Sequence, residues 1–136
     1  MKSSKNIGVE AEKLVQKKLW KFNYKVRSLG NSDYDLLVNG KIRVEVKCAK
    51  MQNSGSWTFS FGTKTPTDGY SDVHALVFVY PDETKKVVYI KTGDLAQIMR
   101  ENKSKWGVTF RRTDEPPISK SPYSVFGYPQ AEEKTL

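Results

Sequence analysis

The sequence predicts an α/β fold in which a mixed β-sheet is flanked by helices. Helical periodicity near the N-terminus, several short strand-like segments and a second helix-like segment late in the chain support this prediction. A chain of 136 residues, 38% of them hydrophobic, is long enough for one domain with one core. We expect this domain to cover residues 1–112 and a loosely ordered, Pro- and Ser-containing tail to cover residues 113–136.

The order of elements follows from the spacing of apolar residues. Residues 4–22 are predicted to form an amphipathic helix, because their apolar residues recur at spacings of three and four: Ile7, Ala11, Leu14, Val15, Leu19 and Phe22. A second helix is predicted at 94–102, after Thr92-Gly93. Strands are predicted at 24–28, 35–38, 41–48, 57–61, 73–80, 87–91 and 107–111.

The hairpin formed by the second and third strands has a register that its side chains determine. A slip of one residue moves every side chain to the other face, so the apolar residues of the hairpin must share one face. These residues are Leu36, Val38, Ile42, Val44 and Val46. A two-residue turn at Asn39-Gly40 would pair Val38 with Lys41 and separate this set. We therefore predict a three-residue loop with Gly40 in a left-handed conformation.

This register brings four polar residues together on the opposite face. Glu45 and Lys47 are two positions apart and project from the same side, Asp35 lies across from Glu45 or one step removed, and Arg43 lies beside them. Two carboxylates suit a hard cation such as Mg²⁺ or Mn²⁺, and a metal beside an ammonium group can activate water for attack on a phosphodiester. The ordinary alternative is a solvent-facing Glu45–Lys47 ion pair with Asp35 as a turn residue.

These residues form a pattern that resembles a known signature. Tyr34-Asp35, nine intervening residues and then Glu45-Val46-Lys47 resemble the motif of the PD-(D/E)xK nuclease superfamily, with Tyr34 in place of the frequent Pro. The resemblance extends over about residues 6–50, because the upstream helix carries Gly8-x-x-Ala11-Glu12. It implies a restriction-endonuclease-like fold, an Mg²⁺ (or Mn²⁺) cofactor and hydrolysis of DNA phosphodiester bonds.

The resemblance also implies a role for each residue of the motif. The carboxylates of Asp35 and Glu45 and the backbone carbonyl of Val46 would bind the metal, and Lys47 would stabilise the attacking hydroxide or the pentavalent transition state. A Glu on the first helix would help to orient the metal or its water. The Gly-x-x-Ala-Glu pattern points to Glu12, while helical geometry leaves Glu10 open, since both flank the apolar stripe at similar angles.

Other reactive side chains have ordinary structural interpretations. Asp33 could replace Asp35 as a ligand, but its offset from the strand favours a loop-capping role. His74, the only histidine, lies in an apolar stretch and is predicted to be a hydrogen-bonded core or rim residue. Cys48, the only cysteine, is interpreted as a small buried hydrophobe, and no intrachain disulfide can form. The alternating aromatic residues Trp57, Phe59 and Phe61 are predicted to belong to the core or to a subunit interface rather than to stack on bases.

The charge balance is compatible with a polyanionic partner. The chain has 23 Lys and Arg against 15 Asp and Glu, a formal net charge of +8, which fits DNA but on charge alone fits a solubilising surface equally well. Candidate phosphate contacts are Lys17, Lys18, Lys21, Lys25, Arg27, Lys64, Lys103, Lys105, Arg111 and Arg112. The sequence has neither a signal-peptide pattern nor an apolar membrane span, and we expect the protein to be intracellular, in the cytoplasm or nucleoid.

The sequence therefore predicts a metal-dependent DNA endonuclease, and the resemblance implies a place close to the endonucleases of introns and other mobile elements or to restriction enzymes. By analogy with small nucleases we expect a homodimer, because cutting two strands needs two centres. A Holliday junction resolvase is the alternative, but such enzymes place a helix soon after the Glu-x-Lys strand, where this chain has polar loops around an aromatic strand. A non-catalytic nucleic-acid-binding module on the same fold is an alternative of another class, and the intact acidic set argues against it.

Overall fold

A computed structural model describes residues 4–28, 35–62, 65–67, 69–111 and 122–127. The elements are α1 Ser4–Lys21, β1 Val26–Ser28, β2 Leu36–Val38, β3 Ile42–Lys50, β4 Ser56–Ser60, β5 Val73–Val79, β6 Lys85–Lys91, α2 Thr92–Glu101, β7 Gly107–Arg111 and α3 Tyr123–Phe126. Each predicted helix and strand is present, although α2 begins two residues before the predicted start at 94. Four residues named above lie outside the described residues: Asp33, Tyr34, Lys64 and Arg112.

The main sheet is mixed, which confirms the predicted fold class. Within the described residues it has five strands in the order β1-β2-β3-β5-β6, and β4 and β7 form a separate antiparallel pair. Strands β3 and β5 run parallel, whereas the other neighbours in the main sheet are antiparallel. The parallel pairing brings the beginnings of β3 and β5 to the same edge of the sheet.

Two cores cover the two faces of the main sheet. The α1-side core packs Ala11, Val15 and Leu19 of α1 against alternate residues of the strands, among them Val44, Val46, Val73 and Val77. The α2-side core packs α2 and the β4–β7 pair against the other alternate residues, among them Ala49, Leu76 and Phe78. Since successive strand residues point to opposite faces, Glu45 and Lys47 lie on the α2 side.

The β2–β3 turn has the predicted register. Leu36 is paired with Val44 and Val38 with Ile42, so the apolar residues share the α1-side core. Both Asn39 (φ 55°) and Gly40 (φ 71°) adopt left-handed conformations, and the Lys41 amide donates to the Val38 carbonyl at 3.1 Å. Asn and Gly are the residues that tolerate this backbone best, which explains why the turn forms at these positions.

The expectation of a loosely ordered tail is wrong for residues 122–127. There α3 packs onto the α1-side core, with the Phe126 ring centroid 5.5 Å from those of both Tyr24 and Tyr89. The Tyr24 hydroxyl donates to the carbonyl of Gly127. Apolar burial at Tyr123, Val125 and Phe126 outweighs the tail's polar composition here. None of the helices among the described residues is long and apolar enough to span a membrane.

If α3 is part of the folded core, Phe126→Ala should lower the free energy of unfolding by about 3–5 kcal/mol, because a large buried ring is lost. Urea unfolding followed by circular dichroism measures this. The matched control is Trp20→Ala, which truncates an aromatic ring that is 51% exposed and should change stability by less than about 1 kcal/mol. Equal stability of Phe126→Ala and the wild type would contradict the observed packing.

Candidate active site

Asp35 lies where the pairing of β2 with β3 ends. Its amide donates to the Val44 carbonyl at 3.0 Å, and its carboxylate Oδ2 accepts from the Val46 amide at 2.8 Å. The side chain therefore takes the place of a backbone acceptor opposite Val46. In a strand, the amide and carbonyl of one residue point to the same side, so the Val46 carbonyl is also directed towards Asp35.

Glu45 and Lys47 lie beside this point on β3. The Lys47 Nζ is 3.4 Å from the Glu45 Oε2, and the two side chains are 28% and 12% exposed, respectively. Extending the Leu36–Val44 register by one residue places Asp35 opposite Glu45, as the sequence predicts. The structure thus brings Asp35, Glu45 and Lys47 together at one edge of the sheet, with Glu45 largely shielded from water.

The first helix contributes Glu12 to the same edge. Burial raises the pKa of Glu12, and the nearby negative charge of Asp35 raises it further. The charge of Glu10 instead acts on Cys48, whose pKa is raised mainly by burial. The two residues that helical geometry left equivalent are thereby distinguished: Glu12 is on the side of Asp35, and Glu10 is on the side of the half-buried Cys48.

The donor atoms at this edge are oxygens. In the described part of the chain, no three side chains of His, Cys, Asp or Glu form a group that could hold a metal ion. Magnesium does not require such a group, because it keeps several waters and binds proteins through one or two carboxylates. Asp35, Glu45 and the Val46 carbonyl suit that chemistry. The raised pKa of Glu12 reflects burial and the negative charge of Asp35 at this edge, and a cation would offset that negative charge.

Arg43 has a structural partner that sequence reasoning missed. Its guanidinium donates to Asp72 from Nε at 3.1 Å and from Nη2 at 2.9 Å, and to the Gly69 carbonyl from Nη1 at 3.1 Å. The hydrogen bonds from Arg43 lower the pKa of Asp72. Asp72 also accepts from the Thr92 amide through its carbonyl at 3.0 Å, so the Arg43–Asp72 pair links β3 to the segment before β5 and to the start of α2.

His74 borders the site from the neighbouring strand. It is 2% exposed, paired in register with Glu45, and in T-shaped contact with Phe61 at 5.4 Å. Its Nδ1 shares a hydrogen bond with the Thr92 hydroxyl at 2.9 Å, which confirms the predicted hydrogen-bonded core position. Burial, together with the smaller effect of the positive charge of Lys47, lowers the pKa of His74 to about 4. His74 is therefore neutral near pH 7, and its position beside Glu45 had no signal in the sequence.

The aromatic strand belongs to the core, as predicted. Trp57, Phe59 and Phe61 are each at most 2% exposed, and the Trp57 indole donates to the Val79 carbonyl at 3.0 Å. They are therefore not available to stack on bases. Among the candidate phosphate contacts within the described residues, Lys18 is half-buried. The others are exposed: Lys17, Lys21, Lys25, Arg27, Lys103, Lys105 and Arg111.

Comparison with known proteins supports the fold. No protein-family model and no curated protein matches the sequence. Among solved structures, the chain is similar to the bacterial homing endonuclease I-Ssp6803I, with a TM-score of 0.60 and 21% sequence identity. The match covers 94% of this chain and 87% of the other. The chain therefore has the mixed α/β fold of a nuclease, and at this identity the likeness extends to the fold alone.

The buried His74 predicts a pH dependence of stability. The unfolded chain binds a proton at this residue near pH 6.5, while the folded chain does so only near pH 4, so stability should fall as the pH falls through this window. His74→Gln should remove this component, which reaches about 3 kcal/mol at the acidic end. Urea unfolding at several pH values measures it.

The control for this prediction is Thr92→Val, which removes the hydrogen-bond partner of His74 but keeps the titrating ring. It should retain the dependence on pH between 6.5 and 4. If wild type and His74→Gln lose stability equally over this window, the imidazole is not held neutral by burial.

Proposed function

We propose that this chain is a DNA endonuclease that hydrolyses phosphodiester bonds at the edge formed by Asp35, Glu45 and Lys47. The observation that carries the proposal is the register of β2 against β3, which aligns the Asp35 carboxylate with the Val46 amide next to the Glu45–Lys47 pair. Similarity over most of the chain to a structure described as a bacterial homing endonuclease supports the same class of reaction.

The proposed cofactor is Mg²⁺ or Mn²⁺, held by Asp35, Glu45 and the Val46 carbonyl, with Glu12 orienting the ion or its water. When bound, the ion would polarise the phosphoryl oxygen and lower the pKa of the attacking water. The protein's own part is to hold the ligands in place. The hydrogen bond from the Val46 amide fixes Asp35, and the 3.4 Å ion pair with Lys47 restrains Glu45.

Lys47 is the residue proposed to act on the transition state. Its ammonium group is partly exposed, whereas the Glu45 carboxylate beside it is largely buried, so the ammonium is the more accessible group. Negative charge grows on the phosphoryl oxygens during in-line attack, and a fixed cation there stabilises it. Neutral His74 adds no competing positive charge on the next strand.

The proposed partner is double-stranded DNA, and the proposed setting is inside the cell. The net charge of +8 would attract phosphates from any sequence. We also propose a homodimer, because one centre per chain cuts one strand at a time. Size-exclusion chromatography with light scattering, with and without DNA, measures the assembly.

One assay separates the proposal from its alternatives. The full chain is incubated with Mg²⁺, Mn²⁺ or EDTA on linear, nicked and four-way-junction DNA. Metal-dependent cutting of linear duplex supports an endonuclease, while cutting confined to the junction identifies a Holliday junction resolvase. Binding to DNA without cutting in any metal would overturn the catalytic proposal and favour a non-catalytic nucleic-acid-binding module.

Substitutions at the centre should separate cutting from binding. Asp35→Ala and Glu45→Ala should each lower the cleavage rate by roughly 100-fold or more, because a metal ligand is lost. Both should preserve or tighten DNA binding in EDTA, since a negative charge near the phosphate is removed. Lys47→Ala should also slow cleavage, by a factor of roughly 100 to 1,000, and weaken binding slightly.

The control for these variants is Glu83→Asn, which removes an exposed carboxylate from the β5–β6 hairpin. Glu83 has a left-handed backbone (φ 69°) that Asn tolerates, so the fold should be kept. Circular dichroism checks that each variant is folded. A folded Glu45→Ala protein that cuts as fast as the wild type would place the nuclease activity elsewhere.

A further inference from the structure

A second surface lies on the same side of the sheet as Glu45 and Lys47. It is a groove of about 390 Å³ between the end of α2, the following segment and residues 65–67. We call it the α2 groove; its lining includes Thr65, Thr67, Arg100, Lys103, Lys105 and Trp106. Neither the catalytic centre nor either core includes these side chains.

The α2 groove concentrates positive charge. Arg100, Lys103 and Lys105 are exposed, and within the described part of the chain none of them forms an ion pair with a carboxylate. The neighbouring Glu101 carboxylate instead accepts from the Gln97 amide at 3.3 Å. Three cations within six positions repel one another, and a polyanion that binds across them removes this repulsion.

The groove also presents an aromatic ring to solvent. Trp106 is 56% exposed, whereas Trp57 is 2% exposed in the α2-side core. The Lys105 Nζ lies 5.0 Å from the centroid of the Trp106 ring, so a cation and an aromatic face occupy one patch. A nucleotide supplies matching groups for both, since its phosphate pairs with the cation and its sugar or base packs on the ring.

A chain of direct contacts links the α2 groove to the catalytic centre. The Phe61 amide donates to the Trp106 carbonyl at 2.9 Å, the Phe61 ring contacts His74, and His74 is the register partner of Glu45. B-DNA carries one negative charge per about 1.7 Å of its axis. A duplex that reaches from Lys47 to the α2 groove would therefore present several phosphates to its cations.

From this combination of cations without carboxylate partners among the described residues, an exposed ring and a chain of contacts to Glu45, we propose that the α2 groove binds the backbone of the DNA duplex that flanks the cleavage site. Lys103, Lys105 and Arg100 contact phosphates, and Trp106 packs against the sugar or base of an adjacent nucleotide. This inference rests on the proposed nuclease function and assigns to it a binding surface outside the catalytic residues.

The test measures the affinity of the full chain, in EDTA, for a mixed-sequence duplex about 40 base pairs long at salt concentrations from about 50 to about 200 mM. Lys103→Asn combined with Lys105→Gln should reduce the slope of log affinity against log salt by about 2, because two phosphate contacts are lost. Asn is used at Lys103 because its backbone is left-handed (φ 55°).

The matched control is Lys50→Gln combined with Lys85→Gln. It removes the same charge from exposed positions that flank Val79, at the opposite end of β5 from His74. This pair should leave the slope near the wild-type value. A second measurement follows tryptophan fluorescence: the duplex should quench the wild type and Trp20→Phe, and should quench Trp106→Phe much less.

The outcomes distinguish this inference from the proposed function. Equal slopes in the groove variant and the control, with undiminished quenching in Trp106→Phe, would overturn the α2 groove as a DNA surface even if the protein still cuts DNA. A wild-type chain that neither binds nor cuts the duplex would overturn both. Tight binding of an acidic protein with no binding of the duplex would assign the groove to a protein partner and likewise overturn the inference.

Discussion

The three-residue turn at 39–41 fixes the register on which the candidate centre depends. Because strand side chains alternate between faces, a turn shorter by one residue would send Glu45 and Lys47 into the α1-side core or expose Val44 and Val46. In this register Leu36 is the first paired residue of β2, and Asp35 directly precedes it. The Asp35 carboxylate can therefore accept a hydrogen bond from the Val46 amide. This bond satisfies the amide at the edge of the pairing and orients the carboxylate.

The parallel pairing of β3 with β5 supplies the second half of the surroundings. It places His74 beside Glu45 and brings the segment before β5 within reach of Arg43, which Asp72 and Gly69 then engage. With Arg43 held there, Lys47 is the cation that the structure pairs with Glu45. The Glu45 carboxylate is largely buried, so a further charge nearby would act on it strongly. Because His74 is neutral near pH 7, it adds no such charge.

The sequence predicted features that depend on neighbouring residues: the periodicity of α1, the hairpin register, and the burial of Trp57 and Phe59. It did not reveal features that depend on distant partners, since alternation shows that a strand has a buried face but not what covers it. Trp57 thus pairs with Phe110 in a separate sheet, and α3 docks on Tyr24 across more than a hundred residues. Glu12 and Glu10 were equivalent on an isolated helix, and only the packing of α1 on the sheet distinguishes them.

The proposed chemistry explains why the cations at the candidate centre and those of the α2 groove have different surroundings. Carboxylates at the sheet edge repel phosphate until cations offset them, so a nuclease of this kind needs DNA affinity from surfaces around its centre. Lys47 is paired with Glu45 and Arg43 with Asp72, so neither ammonium nor guanidinium is without a carboxylate. The cations of the α2 groove have no such partners among the described residues and lie on the same side of the sheet. On the proposed function, binding and cutting are therefore assigned to different side chains, and this separation allows the acidic centre to work within a basic protein.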